Sequence, residues 1–425
     1  MNKVVIIDGA RTPFLRSGTD YMDLMSYQLG QFAIKGLLVK TGLDPKEVDQ
    51  VVMGNVISNI KTANVAREAA LTAGVPEDTA CHTVSQACIS ANRAISDGAL
   101  EIMTGRADVV IAGGVDHTSD TPIQFPRKMR KKLFLGQKNK TLMDNLKWLT
   151  KLRLSDFIPE TPKVAEFTTN RVMGQDCEIM TARLNVGREE QDEFAVRSHQ
   201  LAAKAHEAGY LQKEMVEVSL PPKFKAITQD NGVRGDSTVE RVSKLRPAFD
   251  KKYGTLTAAN SSFLTDGAAA TLLMSEDKAK ALGMTPKAEI VDFEFTGQAL
   301  DNELLMGPAF AVARLLKRTG MTLDQFDVIE FHEAFAGQIL ANLKALASEE
   351  FSKKYLGWDT AVGEVNMDKF NNWGGSLSIG HPFGATGSRL VNTAANRLEV
   401  EGGTYALLAA CAAGAQGHAM IIKRV

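Results

Sequence analysis

The sequence predicts an α/β fold of two pseudo-symmetric halves with an inserted region, and three observations lead there. First, Leu37-Leu38-Val39-Lys40-Thr41-Gly42-Leu43, followed by Val48-Asp49-Gln50-Val51, returns 278 residues later as Leu315-Leu316-Lys317-Arg318-Thr319-Gly320-Met321, followed by Phe326-Asp327-Val328-Ile329. Second, Asp108-Val109-Val110-Ile111-Ala112-Gly113-Gly114 matches Tyr405-Ala406-Leu407-Leu408-Ala409-Ala410-Cys411 at an offset of 297. Third, the continuous apolar strands Val109–Ala112 and Ala406–Ala409 alternate with helical patterns, which argues for βαβ units in sheets covered on both faces. In such folds chemistry gathers at strand carboxyl ends and helix N-termini.

The chain has 425 residues, more than one small core can organise, and a formal net charge of -1, which gives no reason to expect nucleic acid. It opens on Lys3-Val4-Val5-Ile6-Ile7-Asp8, a buried-strand pattern with no basic-then-apolar leader. No apolar run is long enough to span a bilayer, so a cytoplasmic location is expected. Four cysteines (Cys81, Cys88, Cys177, Cys411) form no CxxC pair, and reduced thiols are the default.

Each half reads helix, strand, loop, helix, strand. Taking residues 1–285 as the first half and 286–425 as the second leaves about 117–252 without a counterpart, as an inserted loop domain. Within it, Arg188 onward to Gly209 is a helix with acids at its start and glycine at its end. Arg127–Arg153 carries ten Lys or Arg against one Asp, and Leu142, Leu146, Leu149 and Leu152 share one helical face beside Trp148. Such a basic amphipathic stretch suits an anionic membrane or an acidic partner.

Candidate chemistry begins at Cys88, which sits at a turn before the apolar-periodic run Ile89, Ala91, Ala94, Ile95, Ala99. A thiol at a helix N-terminus lies beside unpaired N–H groups that favour thiolate. A lone cysteine among Ala and Ile is, however, more often a small buried hydrophobe. Gly380-His381-Pro382-Phe383-Gly384-Ala385-Thr386-Gly387 lies opposite Cys88 at the 297 offset, so two equivalent helix N-termini carry a cysteine and a histidine. That segment lacks the Lys-Ser/Thr of a phosphate loop. Cys411 opens Cys411-Ala412-Ala413-Gly414-Ala415-Gln416-Gly417 directly after a buried strand. No cysteine or histidine pair has metal-ligand spacing.

These segments, with Asp8-Gly9-Ala10-Arg11-Thr12-Pro13-Phe14, Thr257-Ala258-Ala259-Asn260-Ser261-Ser262-Phe263-Leu264-Thr265-Asp266-Gly267 and Phe331-His332-Glu333-Ala334-Phe335, resemble the thiolase family over essentially the whole chain. The variants around Cys88 and His332 look most like the thiolase β-subunits of the fatty-acid β-oxidation trifunctional complex and their bacterial relatives. The resemblance implies a layered αβαβα thiolase fold and a 3-ketoacyl-CoA thiolase (acetyl-CoA C-acyltransferase) with CoA as substrate and no cofactor or metal. It implies Cys88 as nucleophile, His381 as its activator, Cys411 as acid and base with a pKa near neutrality, and His332 where most members have an asparagine that holds a water. The backbone N–H groups of Cys88 and Ala413 would form a second oxyanion hole, and Ser262 would lie near the CoA arm. Phe263 stands where many members have glycine. A homodimer is implied, with a hydratase/dehydrogenase α-subunit completing a heterotetramer. Biosynthetic acetoacetyl-CoA formation and a non-catalytic lipid-carrier or scaffold role are the alternatives; the paired Cys88 and Cys411 beside His381 argue against the latter.

Overall fold

The computed structural model describes residues 2–160 and 165–425. Its strands are β1 (Val4–Arg11), β2 (Leu15–Arg16), β3 (Gln50–Gly54), β4 (Ala80–Val84), β5 (Val109–Asp116), β6 (Val218–Leu220), β7 (Lys225–Ile227), β8 (Thr265–Ser275), β9 (Ala288–Gly297), β10 (Val328–Phe331), β11 (Tyr405–Ala412) and β12 (Gln416–Arg424). Leaving aside β2, which pairs with β8, and the β6–β7 hairpin, they form one sheet in the order β10-β11-β12-β9-β1-β8-β5-β3-β4. The halves meet where β1 and β9 pair antiparallel over Val5↔Glu289 and Ile6↔Ala288.

Both repeats of the sequence become equivalent structure. β3 and β10 each pair in parallel with the strand of the second repeat, β5 and β11 respectively. The helices Ser26–Thr41 and Gly307–Thr319 end on Gly42 and Gly320 at φ 67° and 68°. That left-handed stop suits glycine, because a β-carbon there crowds the preceding turn.

Strand alternation sorts the core into layers. Val5, Ile7, Val51, Met53, Val109 and Ile111 face the helices Ser26–Thr41 and Val65–Ala73. Ile329, Phe331, Leu407 and Ala409 face Gly307–Thr319 and Ala336–Ala347. The opposite sides of the same strands, with Val52, Val110, Val328 and Leu408, close on two central helices, Ser90–Met103 and Thr386–Glu401. Helix and sheet thus stack as α, β, α, β, α. The central pair packs closely enough that a β-carbon on Gly387 would come 2.2 Å from Asn92 Oδ1.

Within the stretch without a counterpart, Thr121–Ala165 forms a compact unit of its own, while Glu166 onward belongs with the body. The helix expected from Arg188 runs Arg188–Glu207 and stops before Gly209. The basic stretch is two short helices, Arg127–Gly136 and Leu142–Leu149, so the single leucine face does not reach Leu152. Asn139 and Lys140 interrupt it, and Thr141 caps the second helix by accepting from the Asp144 N–H at 3.1 Å. Trp148 turns inward within this unit, its Nε1–H donating to the Lys132 carbonyl at 2.7 Å.

Candidate active site

All four candidate side chains lie at carboxyl ends of strands or N-termini of the central helices, Cys88 from the first half and His332, His381 and Cys411 from the second. Cys88 follows β4 and precedes Ser90–Met103, and it is reached through Ala87 at φ 47°, a left-handed conformation that strains any residue with a β-carbon. His332 directly follows β10, His381 precedes Thr386–Glu401, and Cys411 is the penultimate residue of β11. Folding brings donor atoms of Cys88, His332 and His381 within 4.8 Å of one another, although 244 to 293 residues separate the first from the other two. The imidazole rings lie 3.9 Å apart. Among the described residues this is the one group able to offer three such ligand atoms to a metal.

The His381 segment is tied to the loop that follows β3 by Asp116 at the end of β5. Its buried carboxylate accepts from Asn55 Nδ2 at 3.0 Å, the Ile57 N–H at 2.7 Å and the Gly384 N–H of the His381 segment. Burial pushes Asp116 up to about 7, against those backbone N–H groups. Gly114 makes the approach possible, because a β-carbon there would collide with the Gly384 carbonyl at 1.8 Å.

The proton on His381 is fixed by its neighbour. Thr386 donates its hydroxyl to the Pro382 carbonyl at 3.0 Å, so it accepts from His381 Nδ1–H at 2.7 Å. The Nε2 lone pair is left free, buried and without a hydrogen-bond partner among the described residues. Burial, with the charge of Arg389, lowers His381 to about 3. His332 is lowered well below the usual histidine value by burial, by His381 and by Arg389. Both rings are therefore neutral at physiological pH. His332 Nδ1 lies 2.9 Å from Ser376 Oγ, and its Nε2 has no hydrogen-bond partner among the described residues.

Burial works against the thiolate at both cysteines, opposite in direction to the helix-end effect expected at Cys88 and to a value near neutrality at Cys411. Cys88 keeps partial exposure, yet burial of its sulfur raises the thiol to about 11 and outweighs the N–H groups of Ala413 and Cys88 that reach it. Helix-end stabilisation is worth about 0.3–1 kcal/mol, too little to offset desolvation of a charge. Cys411 is buried and pushed well above its ordinary value by desolvation and then by Cys88, so it rests as an acid and not near neutrality. Iodoacetamide alkylation of Cys88 in the free enzyme should accelerate about tenfold per pH unit between pH 7 and 10. Mass spectrometry at several pH values checks this, and a plateau near pH 7 would show that the resting group is a thiolate.

The backbone N–H groups of Ala413 and Cys88 both reach the Cys88 sulfur and favour its charged form. Their loops are tied by Gln86 Nε2, which donates to Gln416 Oε1 at 2.6 Å, and the Gly414 N–H donates to Glu166 at 2.7 Å. Ser262 is half-buried, and its N–H donates to the Ala334 carbonyl at 2.9 Å, beside His332 in the chain. Phe263 stacks under Arg16, with the guanidinium 4.0 Å from the ring centre. Glu166, Ser376, Thr386 and Arg389 escaped the sequence reading. Of these, only Thr386 stood inside a quoted motif, five residues after His381.

Family models for the N-terminal and C-terminal domains of thiolase match residues 4–277 and 284–424. The chain belongs to the thiolase family. Among thiolase relatives, the mitochondrial trifunctional enzyme subunit beta of Bos taurus is 52% identical over 423 residues, covering 100% of this chain and 88% of that protein. A 3-ketoacyl-CoA thiolase of Pectobacterium atrosepticum is 44% identical, covering 99% and 97%. The crystal structure of human mitochondrial 3-ketoacyl-CoA thiolase in complex with CoA superposes with a TM-score of 0.85 at 30% identity, covering 100% and 98%. The layered thiolase fold is thereby established. The bovine, macaque and mouse relatives are mitochondrial by name, which overturns the cytoplasmic location expected from the sequence. An opening core strand reports where packing begins and carries no information about compartment.

Proposed function

We propose that this thiolase is a 3-ketoacyl-CoA thiolase, cleaving medium- or long-chain 3-ketoacyl-CoA with CoA to acetyl-CoA and a shortened acyl-CoA. The observation that carries the reading is the clustering of a thiol with two neutral, unpartnered imidazole nitrogens, Cys411 beside them. Cys88 attacks the keto carbon as His381 Nε2 takes its proton, which defers thiolate formation to the moment of attack. The Cα–Cβ bond breaks, leaving an acyl thioester on Cys88 and an acetyl-CoA enolate. Cys411, resting protonated, gives its proton to that enolate carbon. The resulting thiolate then takes the proton of incoming CoA, whose sulfur attacks the thioester, and the Cys88 sulfur leaves and takes its proton back from His381 Nε2. Charge develops on oxygen twice, once near the two histidines and once at the N–H groups of Cys88 and Ala413. Such preorganised donors are usually the largest catalytic contribution. CoA is a substrate, with Ser262 beside its arm, and the chemistry requires no metal or redox cofactor.

Intact-mass measurement after mixing with 3-ketoacyl-CoAs of several lengths tests this reading. It expects an acyl group two carbons shorter than the substrate on Cys88, and an unmodified protein at every length would overturn it. The same series distinguishes acetoacetyl-CoA formation, for which only the shortest substrate acylates.

Three assembly proposals accompany this reading. The halves 1–285 and 286–425 act as one unit, and a homodimer forms through β4, which among the described residues pairs only with β3 and presents a half-buried edge. Sedimentation velocity showing monomer at micromolar concentration would exclude the dimer. A hydratase/dehydrogenase α-subunit completes a heterotetramer, the bovine relative being by name the beta subunit of a trifunctional enzyme. Pull-down of purified α-subunit tests that.

Finally, the Thr121–Ala165 unit contacts an anionic membrane. Phe134, Leu135, Leu142, Met143, Leu146 and Leu149 are all exposed there beside Arg127, Lys128, Arg130 and Lys131. Anionic liposomes should co-sediment the protein at about 0.01 M salt and release most of it at about 0.15 M, as the screening length falls from roughly 30 to 8 Å. A Lys128→Glu/Lys131→Glu/Lys147→Glu variant should not bind, whereas Lys132 is spared because its ammonium holds Asp156 at 2.6 Å. Equal binding to neutral and anionic lipid would discard the electrostatic contact.

A further inference from the structure

His332 has a proton to place, and the residues behind it decide where. Ser376 Oγ lies 2.9 Å from His332 Nδ1 and 3.2 Å from Arg389 Nη2. A guanidinium has only donors, so Arg389 occupies a lone pair of the serine oxygen. The serine hydrogen then needs an acceptor, and among its described partners the one remaining is His332 Nδ1. All three residues are fully buried. Arg389 is held in turn by Glu330 on β10, 3.6 Å from Nη1, and Arg397 binds the other oxygen of that carboxylate at 2.7 Å.

We propose that Arg389 and Ser376 are positioning residues that set the tautomer of His332, forcing its proton onto Nε2 and aiming that N–H at the oxygen on which charge develops. The inference rests on the thiolase reading and deepens it. His381, with its proton held on Nδ1 by Thr386, presents a lone pair. His332, with the reverse arrangement, presents a donor. Two neutral imidazoles 3.9 Å apart thus do opposite work, one accepting the Cys88 proton and one stabilising oxygen, because two hydroxyls behind them face opposite ways. The cationic Arg389 reinforces the arrangement by keeping both rings uncharged.

An asparagine at 332 carries its own N–H₂ and needs no relay, which gives a double-mutant test. Ser376→Ala is expected to lower kcat for 3-ketoacyl-CoA cleavage about tenfold or more with KM little changed, since the lost donor acts as charge develops. His332→Asn retains substantial activity, and His332→Leu loses much more. Adding Ser376→Ala to His332→Asn then changes kcat less than twofold. The rate of Cys88 alkylation by iodoacetamide, which depends on His381 and the site's overall shape, stays within twofold of wild type in Ser376→Ala. Equal fractional loss from Ser376→Ala in both backgrounds, or a matching fall in alkylation, overturns the relay and makes Ser376 a packing residue. Unchanged kcat in Ser376→Ala overturns it as well. A wild-type protein inactive on every 3-ketoacyl-CoA would instead sink the underlying function, so the two failures are distinguishable.

Discussion

Cys88→Ala is expected to abolish the acyl adduct and to lower turnover by at least about 10⁴-fold, the scale on which enzymes lose a covalent nucleophile. The fold should survive, because the change deletes one sulfur. Its immediate neighbours, Ile89 and Ser90, hold the turn without it: the Ile89 N–H donates to the Gln86 carbonyl and Ser90 Oγ to the Ala87 carbonyl. Intact-mass spectra and a thermal melt on the same sample separate chemistry from stability. An acyl group found on Cys81 or Cys177 would transfer the nucleophile elsewhere. Cys177 is fully buried, and it is Cys88 that has donor atoms of His332 and His381 within 4.8 Å to take its proton.

Cys411→Ala should slow turnover by about 10²–10⁴-fold, the usual worth of a positioned proton donor or acceptor. Its signature differs from that of Cys88→Ala. The nucleophile and its base are intact, so Cys88 should still be alkylated by iodoacetamide, while the enolate leaves without a proton source and CoA arrives without a base. Rapid-quench measurement should find both half-reactions slow, because one sulfur serves each in opposite directions. Normal turnover in this variant removes Cys411 from the mechanism. Loss of turnover together with loss of alkylation would assign it to holding the Ala412–Gly414 turn.

Much of this arrangement was legible in the residues. The repeats at Leu37/Leu315 and Asp108/Tyr405 predicted which elements are equivalent, since equal side-chain patterns bury equal faces. Equivalence in turn placed Cys88 and the His381 segment on paired helices. Protonation was not legible. A sequence displays the helix end beside Cys88 but not the depth of its burial, and burial decides that both thiols rest uncharged. Nor does spacing connect His332 to Ser376 and Arg389, which lie 44 and 57 residues further along and meet it only across folded layers. The amphipathic run after Arg127 was read as longer than it is, because the leucine period continues past Leu149 while the backbone does not.

Sharing the reaction centre between the halves has a consequence for how activity arises during folding. Neither half holds a functional pair: the first contributes the nucleophile, the second its base and its proton donor, and the two are joined through contacts such as Asp116 with Gly384 and Asn92 with Gly387. The loop that must close to bring Cys88 to His381 spans most of the chain, and its entropic cost is recovered only when the central helices pack. A nascent or partly unfolded molecule therefore has no partial version of the chemistry. Its exposed thiol can be oxidised or alkylated but cannot run a thiolytic cycle, so recovery of turnover on refolding times the last docking event and not the formation of either half.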